Sequence, residues 1–420
     1  MPKRRRGERD GGRTANRRRR HLYLIFDDWS RGYSIRKVNL EGGGGEQRLP
    51  DAFWRVEAER GMPEVFTSAF GARIVALHGA RKDKPEDNDR LDAIQIVDVR
   101  TRSLVSAPAS IFMHRPVCYF PIAGDRLFLL DAWTFKLCRL PQQDAPHHPE
   151  PDDDDDDDAD DDVGSRIRSL WRHLPLPTLS VGSVTITGLC LMGAINSYAV
   201  HSDGRTLLVS TKNKVGDEDG SSEDAWTLPF TGRGHFDRDL DAIVALSKDP
   251  DTLGHLYSCH FTNADTGKDL CRPESSEEDN PIDETGNSSS RLCSAPAWKL
   301  SKEKVLSEDP AERHVGATLL YMGRRSKFCV VECLAVDDDG VGARHRHHQA
   351  PPLLEEEEPP PQGGVVVLPC SRYVYRVVTF SPRYDEMGDL RVKRPRVVWY
   401  NVPSKATAEF VRGDPVAFWL

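Results

Sequence analysis

The segment GRGHFDRDLDA (residues 232–242) gathers His235, Asp237, Asp239 and Asp241 within seven positions. Imidazole and carboxylate groups suit hard or borderline divalent cations. An extended strand would set all four on one face, because alternate side chains share a face. A tight turn would scatter them and leave each aspartate to accept backbone N–H groups as an Asx turn. The turn reading is preferred, so no metal is expected here, and Arg233, His235 and Asp237 stand as candidates for an interaction loop. His345, His347 and His348 lie in HRHHQ between arginines and prolines. Short His-rich tracts bind metal adventitiously, and this one is expected in a loop that holds no ligand in place.

Two basic clusters open the chain: Lys3, Arg4, Arg5 and Arg6, then after ten residues Arg17, Arg18, Arg19 and Arg20. That spacing resembles a bipartite nuclear import signal, or an arm for phosphates. No aromatic residues interleave the arginines, so base stacking has no support. Catalytic signatures are missing: no G-x-S-x-G elbow, no phosphate loop, no H-E-x-x-H and no paired C-x-x-C. No catalytic residue, cofactor or metal is therefore expected. An enzyme remains the alternative, because a site assembled from scattered loops leaves no local pattern.

The charge distribution limits the partners. The formal net charge is −9, yet residues 1–20 carry ten Lys and Arg against two acids, and residues 150–162 carry eleven acids and no base. The bulk value hides both blocks. Nine cysteines, an odd number without tight framework spacing, point to a reducing compartment. Cys329 and Cys333 sit within KFCVVECLAV and read as small buried hydrophobes. No secretory signal and no run of about 18 apolar residues is visible. The expectation is an intracellular, nuclear or nucleo-cytoplasmic monomer that does not enter a membrane.

The elements that must position any site read as strand after strand. HLYLIF and YSIRKVNL flank a turn near Ser30–Gly32 as a hairpin. IQIVDVRTRSLVSAP (94–108) is a strand, Asp98, a Thr-Arg turn and a second strand; GDRLFLLDAWTFKLCRLP (124–141) has the same form. The runs are β-branched and aromatic, about 5–9 residues long, and separated by Gly, Asp and Pro. The best short helical candidate is LSEDPAERHVGA (306–317). Residues 1–20 are expected to be a disordered arm, with low-complexity insertions near 142–165, 271–292 and 340–364.

Several segments also carry a resemblance: RRRRHLYLIFDDWSRGYSIRKVNL (17–40), GDRLFLLDAWTF (124–135), INSYAVHSDGRTLLVSTK (195–212), WTLPFTGRGHFDRDLDAIVAL (226–246), EDPAERHVGATLLYMG (308–323) and VTFSPRYDEMGDLRV (378–392). As a set they are similar to the grass-expanded plant family known as domain of unknown function 1668, described as kelch-like. The resemblance implies a fold and no assigned activity.

Repetition supports the same class. Kelch blades recur at about 50 residues, and roughly 330 residues outside the polar tracts suit about six blades, within five to seven. The expected fold is an all-β, kelch-like propeller over residues 21–420. Closure is expected from the N-terminal strand and the RVVWYNV segment sharing one blade, since a ring leaves only short, protected edges. The functional expectation is a non-catalytic scaffold for an unidentified protein partner. Nucleic-acid association through the basic arm is a further alternative.

Overall fold

The computed structural model describes residues 20–40, 46–58, 60–61, 66–76, 93–108, 118–122, 126–130, 135–139, 171–174, 179–181, 184–186, 194–201, 207–212, 228–260, 297–323, 325–336 and 372–420. The first strands are β1 (Leu22–Trp29), β2 (Gly32–Val38), β3 (Glu46–Gln47), β4 (Trp54–Glu57), β5 (Phe66–Ala69), β6 (Arg73–Ala76), β7 (Ala93–Asp98) and β8 (Ser103–Pro108). Next come β9 (Cys118–Ile122), β10 (Arg126–Leu130), β11 (Phe135–Arg139), β12 (Trp171–Leu174), β13 (Leu179–Val181), β14 (Val184–Ile186), β15 (Ala194–Val200) and β16 (Leu207–Lys212). The last are β17 (Gly232–Asp237), β18 (Ala242–Leu246), β19 (Leu256–Cys259), β20 (Trp298–Leu300), β21 (Glu312–Gly323), β22 (Lys327–Val336), β23 (Arg372–Tyr384), β24 (Leu390–Asn401) and β25 (Ala417–Trp419). Among the described residues, one short α-helix, Ala408–Val411, interrupts the all-β pattern, and no helix is long and apolar enough to cross a membrane.

The hairpins read from sequence form where the turn chemistry lies. β1 pairs with β2, β7 with β8 and β10 with β11, each antiparallel. The sheets run β25-β1-β2-β4, β5-β6-β7-β8, β12-β11-β10-β9, β13-β14, β16-β15-β17-β18-β19-β20 and β21-β22-β23-β24-β3. They make a β-propeller arrangement in which four blades are recognised, against the expected six.

Strands that are apolar at every position need cover on both faces, and alternation shows where it comes from. In β22, Phe328 and Val330 pack toward β18 and β19, while Cys329, Val331 and Cys333 pack toward β1 and β2. In β6 and β7, Ile74 and Val97 join the β1–β2 side, while Val75, Ile94 and Ile96 meet Leu127 and Leu129 of β10. The period of two thus sends odd and even residues into opposite neighbouring sheets. The β5–β8 and β21–β24 sheets are each clamped between two others. The outer strands β4 and β20 and the described part of β8 are instead largely exposed. Burial pushes the Cys329 and Cys333 thiols up to about 12, so both remain protonated and packed.

Two expectations need correction. The helix expected over residues 306–317 is a turn followed by strand β21. Ser307 Oγ accepts from the Asp309 N–H, Asp309 Oδ1 accepts from the Ala311 N–H, and Glu312 N–H closes onto Asp309 O. These local bonds compete with a helix and stop the backbone at Pro310. The closing strand is also different. RVVWYNV lies in β24, bonded to β23 and, in parallel, to β3. The strand that meets β1 is β25, with Leu22 opposite Trp419 and Leu24 opposite Ala417. β24 is twelve residues long and already committed to a thirteen-residue partner, so the free edge of β1 is left for a later strand.

Candidate functional site

Arg233 and His235 belong to β17, which runs parallel beside β15. The strand ends at Asp237 and a turn follows, with Asp241 in the left-handed region at φ 49°. His235 and Asp237 remain on the strand, and the turn takes Asp239 and Asp241 out of it. Asp237 is fully buried, and its Oδ1 accepts from the Asp239 and Leu240 N–H groups and from Ser326 Oγ. Asp239 Oδ2 accepts from the Arg325 N–H. This is Asx-turn geometry joined to the β21–β22 turn. His235 Nε2–H donates to Leu319 O at 3.0 Å, so the imidazole ties β17 to β21. Among the described residues, no three His, Cys, Asp or Glu side chains are placed to hold a metal ion.

Burial, with the nearby Arg233 charge, pulls the His235 imidazole down to about 3, against the pull of its Leu319 carbonyl acceptor. The unfolded chain protonates histidine near 6.5. Between these values the unfolded state holds the extra proton, so this contribution is complete above pH 6.5 and is lost as pH falls. Each pH unit costs about 1.4 kcal/mol. Urea denaturation at pH 7 and pH 5 should show wild type losing about 2 kcal/mol through this residue. His235→Gln, which keeps a donor for Leu319, should remove that share; parallel pH slopes for the two proteins would refute the assignment.

A buried charge cluster ties β21, β22 and β23 together. Glu332 is fully buried and accepts from His314 Nδ1, Arg376 Nη1 and the Ser307 N–H, each at 3.0 Å. Arg376 also donates to Val305 O at 2.8 Å and lies over the Trp399 ring. These contacts satisfy each charge within the sheet and leave no open position, so the cluster is structural.

The surface offers a different arrangement. Asp98, at the end of β7, accepts from the Arg100 and Thr101 N–H groups and pairs with Arg73. Those bonds hold its carboxyl below the usual range against the opposing effect of its own burial, which is the largest single influence. The Asx turn, with Arg102 at φ 55°, aims Arg100 and Arg102 toward β1. There Tyr23 packs edge-on against Phe53 with centroids 5.6 Å apart, and Arg102 covers the other ring at 4.9 Å. Burial raises the Tyr23 phenol, opposed by the charges of Arg102 and Arg100.

Between these elements lies a cavity of about 380 Å³, lined by Arg20, His21, Tyr23, Lys37, Val99, Arg100, Thr101 and Leu420. His21 and Leu420 fix its rim by exchanging two backbone hydrogen bonds, at 2.7 and 3.0 Å. Arg20, Lys37 and Arg100 are among the lining residues, and no acidic side chain is. Among the described residues, none of these three side chains forms an ion pair. The pocket brings together residues as far apart as Arg20, Arg100 and Leu420, which local pattern reading cannot do. Its traces in the sequence are the Asp98 turn with two arginines and the last residue of the basic head. Of that head, Lys3, Arg4, Arg5, Arg6, Arg17, Arg18 and Arg19 lie outside the described residues, as do the acidic run, HRHHQ and the three expected insertions.

A family model described as "Protein of unknown function (DUF1668)" matches residues 19–392. The comparison with curated proteins gave no match.

Proposed function

Because the chain belongs to the DUF1668 family of proteins of unknown function, we propose a role argued from its surfaces: a non-catalytic, kelch-like propeller that serves as a platform for a protein partner. The reading rests on the cationic cavity between β1–β2 and the β7–β8 turn, a concave site of the size that ligands fill. A platform needs a rigid frame that presents loops, and sheets clamped on both faces supply it.

The frame is one propeller of six blades over residues 21–420. Support comes from the succession of neighbouring strands: β5 lies beside β9, β9 beside β15, β15 beside β17, β17 beside β21 and β21 beside β25. Six strands stand in this series; β15 and β17 share one hydrogen-bonded sheet, and taking β15–β16 and β17–β20 as separate blades makes six inner strands. The basic residues 3–6 and 17–20 are assigned to nuclear import. A reporter carrying residues 1–20 should concentrate in the nucleus, and an even distribution would remove that part of the proposal.

The platform reading is tested by capture from native extract and reconstitution with purified components. The expected result is saturable binding at micromolar or lower Kd by at least one purified protein. If every captured protein fails to bind after purification, the platform reading falls.

A further inference from the structure

We propose that the Arg20–Lys37–Arg100 cavity receives a phosphorylated side chain from a partner segment whose apolar neighbours lie across Leu104 and Val105. This deepens the platform reading and rests on it. Three observations converge. The first is charge. Three cationic residues line one space without an acidic side chain, and they outnumber the α-carboxylate that Leu420 carries in this chain. Guanidinium groups bind phosphate through paired N–H donors, and a phosphate monoester brings close to two negative charges and three acceptor oxygens. The second is shape. A cavity of about 380 Å³ is much larger than a bare anion needs, and Tyr23, Val99 and Leu420 add apolar wall for the carbon stem of a side chain.

The third is continuity. β8 begins two residues after Thr101 and forms the outer edge of its sheet. Leu104 and Val105 on that strand are 43% and 41% exposed, and the class of large hydrophobics so exposed is small among the described residues. An outer strand with apolar side chains beside a cationic pocket matches the two requirements of an extended phosphopeptide: main-chain and apolar contact along an edge, and one anchored anion. Long nucleic acid fits less well. A polyanion needs phosphate contacts spread along its length, and these three cationic residues line one space. A single phosphate is governed by charges within the screening length of about 8 Å at physiological salt.

The experiment uses the full chain and fluorescent peptides of about ten residues, with a central phosphoserine or serine and flanking leucines. Inorganic phosphate and oligothymidylate are the other probes. The phosphopeptides should bind at least about tenfold more tightly than their serine counterparts. Lys37→Ala and Arg100→Ala should each weaken them about tenfold, while Lys393→Ala, on an exposed part of β24, leaves them unchanged. Arg100→Lys should recover only part of the loss, because it restores charge without the fork. Leu104→Asp should weaken the peptides and leave competition by inorganic phosphate unaltered. Thermal melts of each variant should overlay wild type.

Peptide binding that ignores phosphorylation, or that survives both pocket variants, overturns the proposal. So does oligothymidylate binding that is tighter than the peptides and lost with the same variants, which would assign the pocket to nucleic acid. A purified protein partner bound equally by wild type and by Lys37→Ala/Arg100→Ala would overturn the pocket and leave the platform standing.

Discussion

Glu332→Ala is expected to lower the free energy of unfolding by about 3–5 kcal/mol, the range for removing one partner of a buried ion pair. The carboxylate sits at the middle of β22 with no exposed surface and accepts from His314, Arg376 and the Ser307 N–H. Alanine leaves the Arg376 guanidinium partly buried with only Val305 O as acceptor, beneath Trp399. The Ser307 N–H loses its acceptor as well, and an unmade buried hydrogen bond costs about 1–3 kcal/mol. Glu332→Gln keeps the shape and an acceptor and should cost less, about 1–3 kcal/mol. The double variant Glu332→Leu/Arg376→Leu removes both charges and should be less damaging than Glu332→Ala, because the larger penalty is the stranded charge. Urea titrations of the three proteins decide it. A loss below about 1 kcal/mol for Glu332→Ala would show that water reaches the site and that the cluster is not sealed.

This cluster also marks the limit of reading from the chain. KFCVVECLAV announces a strand covered on both faces, and the structure buries Phe328–Ala335 throughout. A charged residue in such a run requires partners, but they come from positions 307, 314 and 376, and only the fold brings them together. Local chemistry was legible where its partners were also local. The hairpins at Leu22–Val38, Ala93–Pro108 and Arg126–Arg139 follow from apolar runs broken by short polar turns. The Asp237 turn follows from an aspartate two and three residues before the N–H groups it accepts. The expected helix at 306–317 failed because helix-compatible residues after Pro310 were claimed by the ladder with β22. The cationic pocket was not legible because Arg20 read as the end of a tail and Arg100 as a turn residue. Nothing in either segment says that β1, β2 and the β7–β8 turn come together.

Closure depends on the last seven residues, and their removal should have the widest effect of any change to the described chain. Asp414 Oδ1 accepts from the Ala317 N–H, its Oδ2 pairs with Lys248, and Pro415 O accepts from Thr318 Oγ1 at 2.6 Å. Val416 O accepts from the Ile25 N–H at 3.0 Å, and β25 then completes the free edge of β1. One segment of seven residues thereby touches β1, β21 and the loop after β18. The approach is close: a side chain at Gly316 would meet Gly413 O at 2.9 Å. Counted at about 1 kcal/mol for each hydrogen bond, with added loss from uncovering the apolar residues around Ala417, the total exceeds about 5 kcal/mol. Domains are stable by only about 5–15 kcal/mol. A chain ending at Gly413 should therefore lose its cooperative thermal transition, and excess peptide of residues 414–420 should restore it by mass action. Phe410→Ala gives a graded version. Its ring is buried against Phe26 and Tyr33 in the helix that Thr407 caps, with Thr407 held by Asp27. That change should cost about 3–5 kcal/mol while leaving β25 in place. If the shortened chain melts as one sharp transition at the wild-type temperature, the ring is not held shut by β25, and the rigid frame attributed to these sheets needs another source.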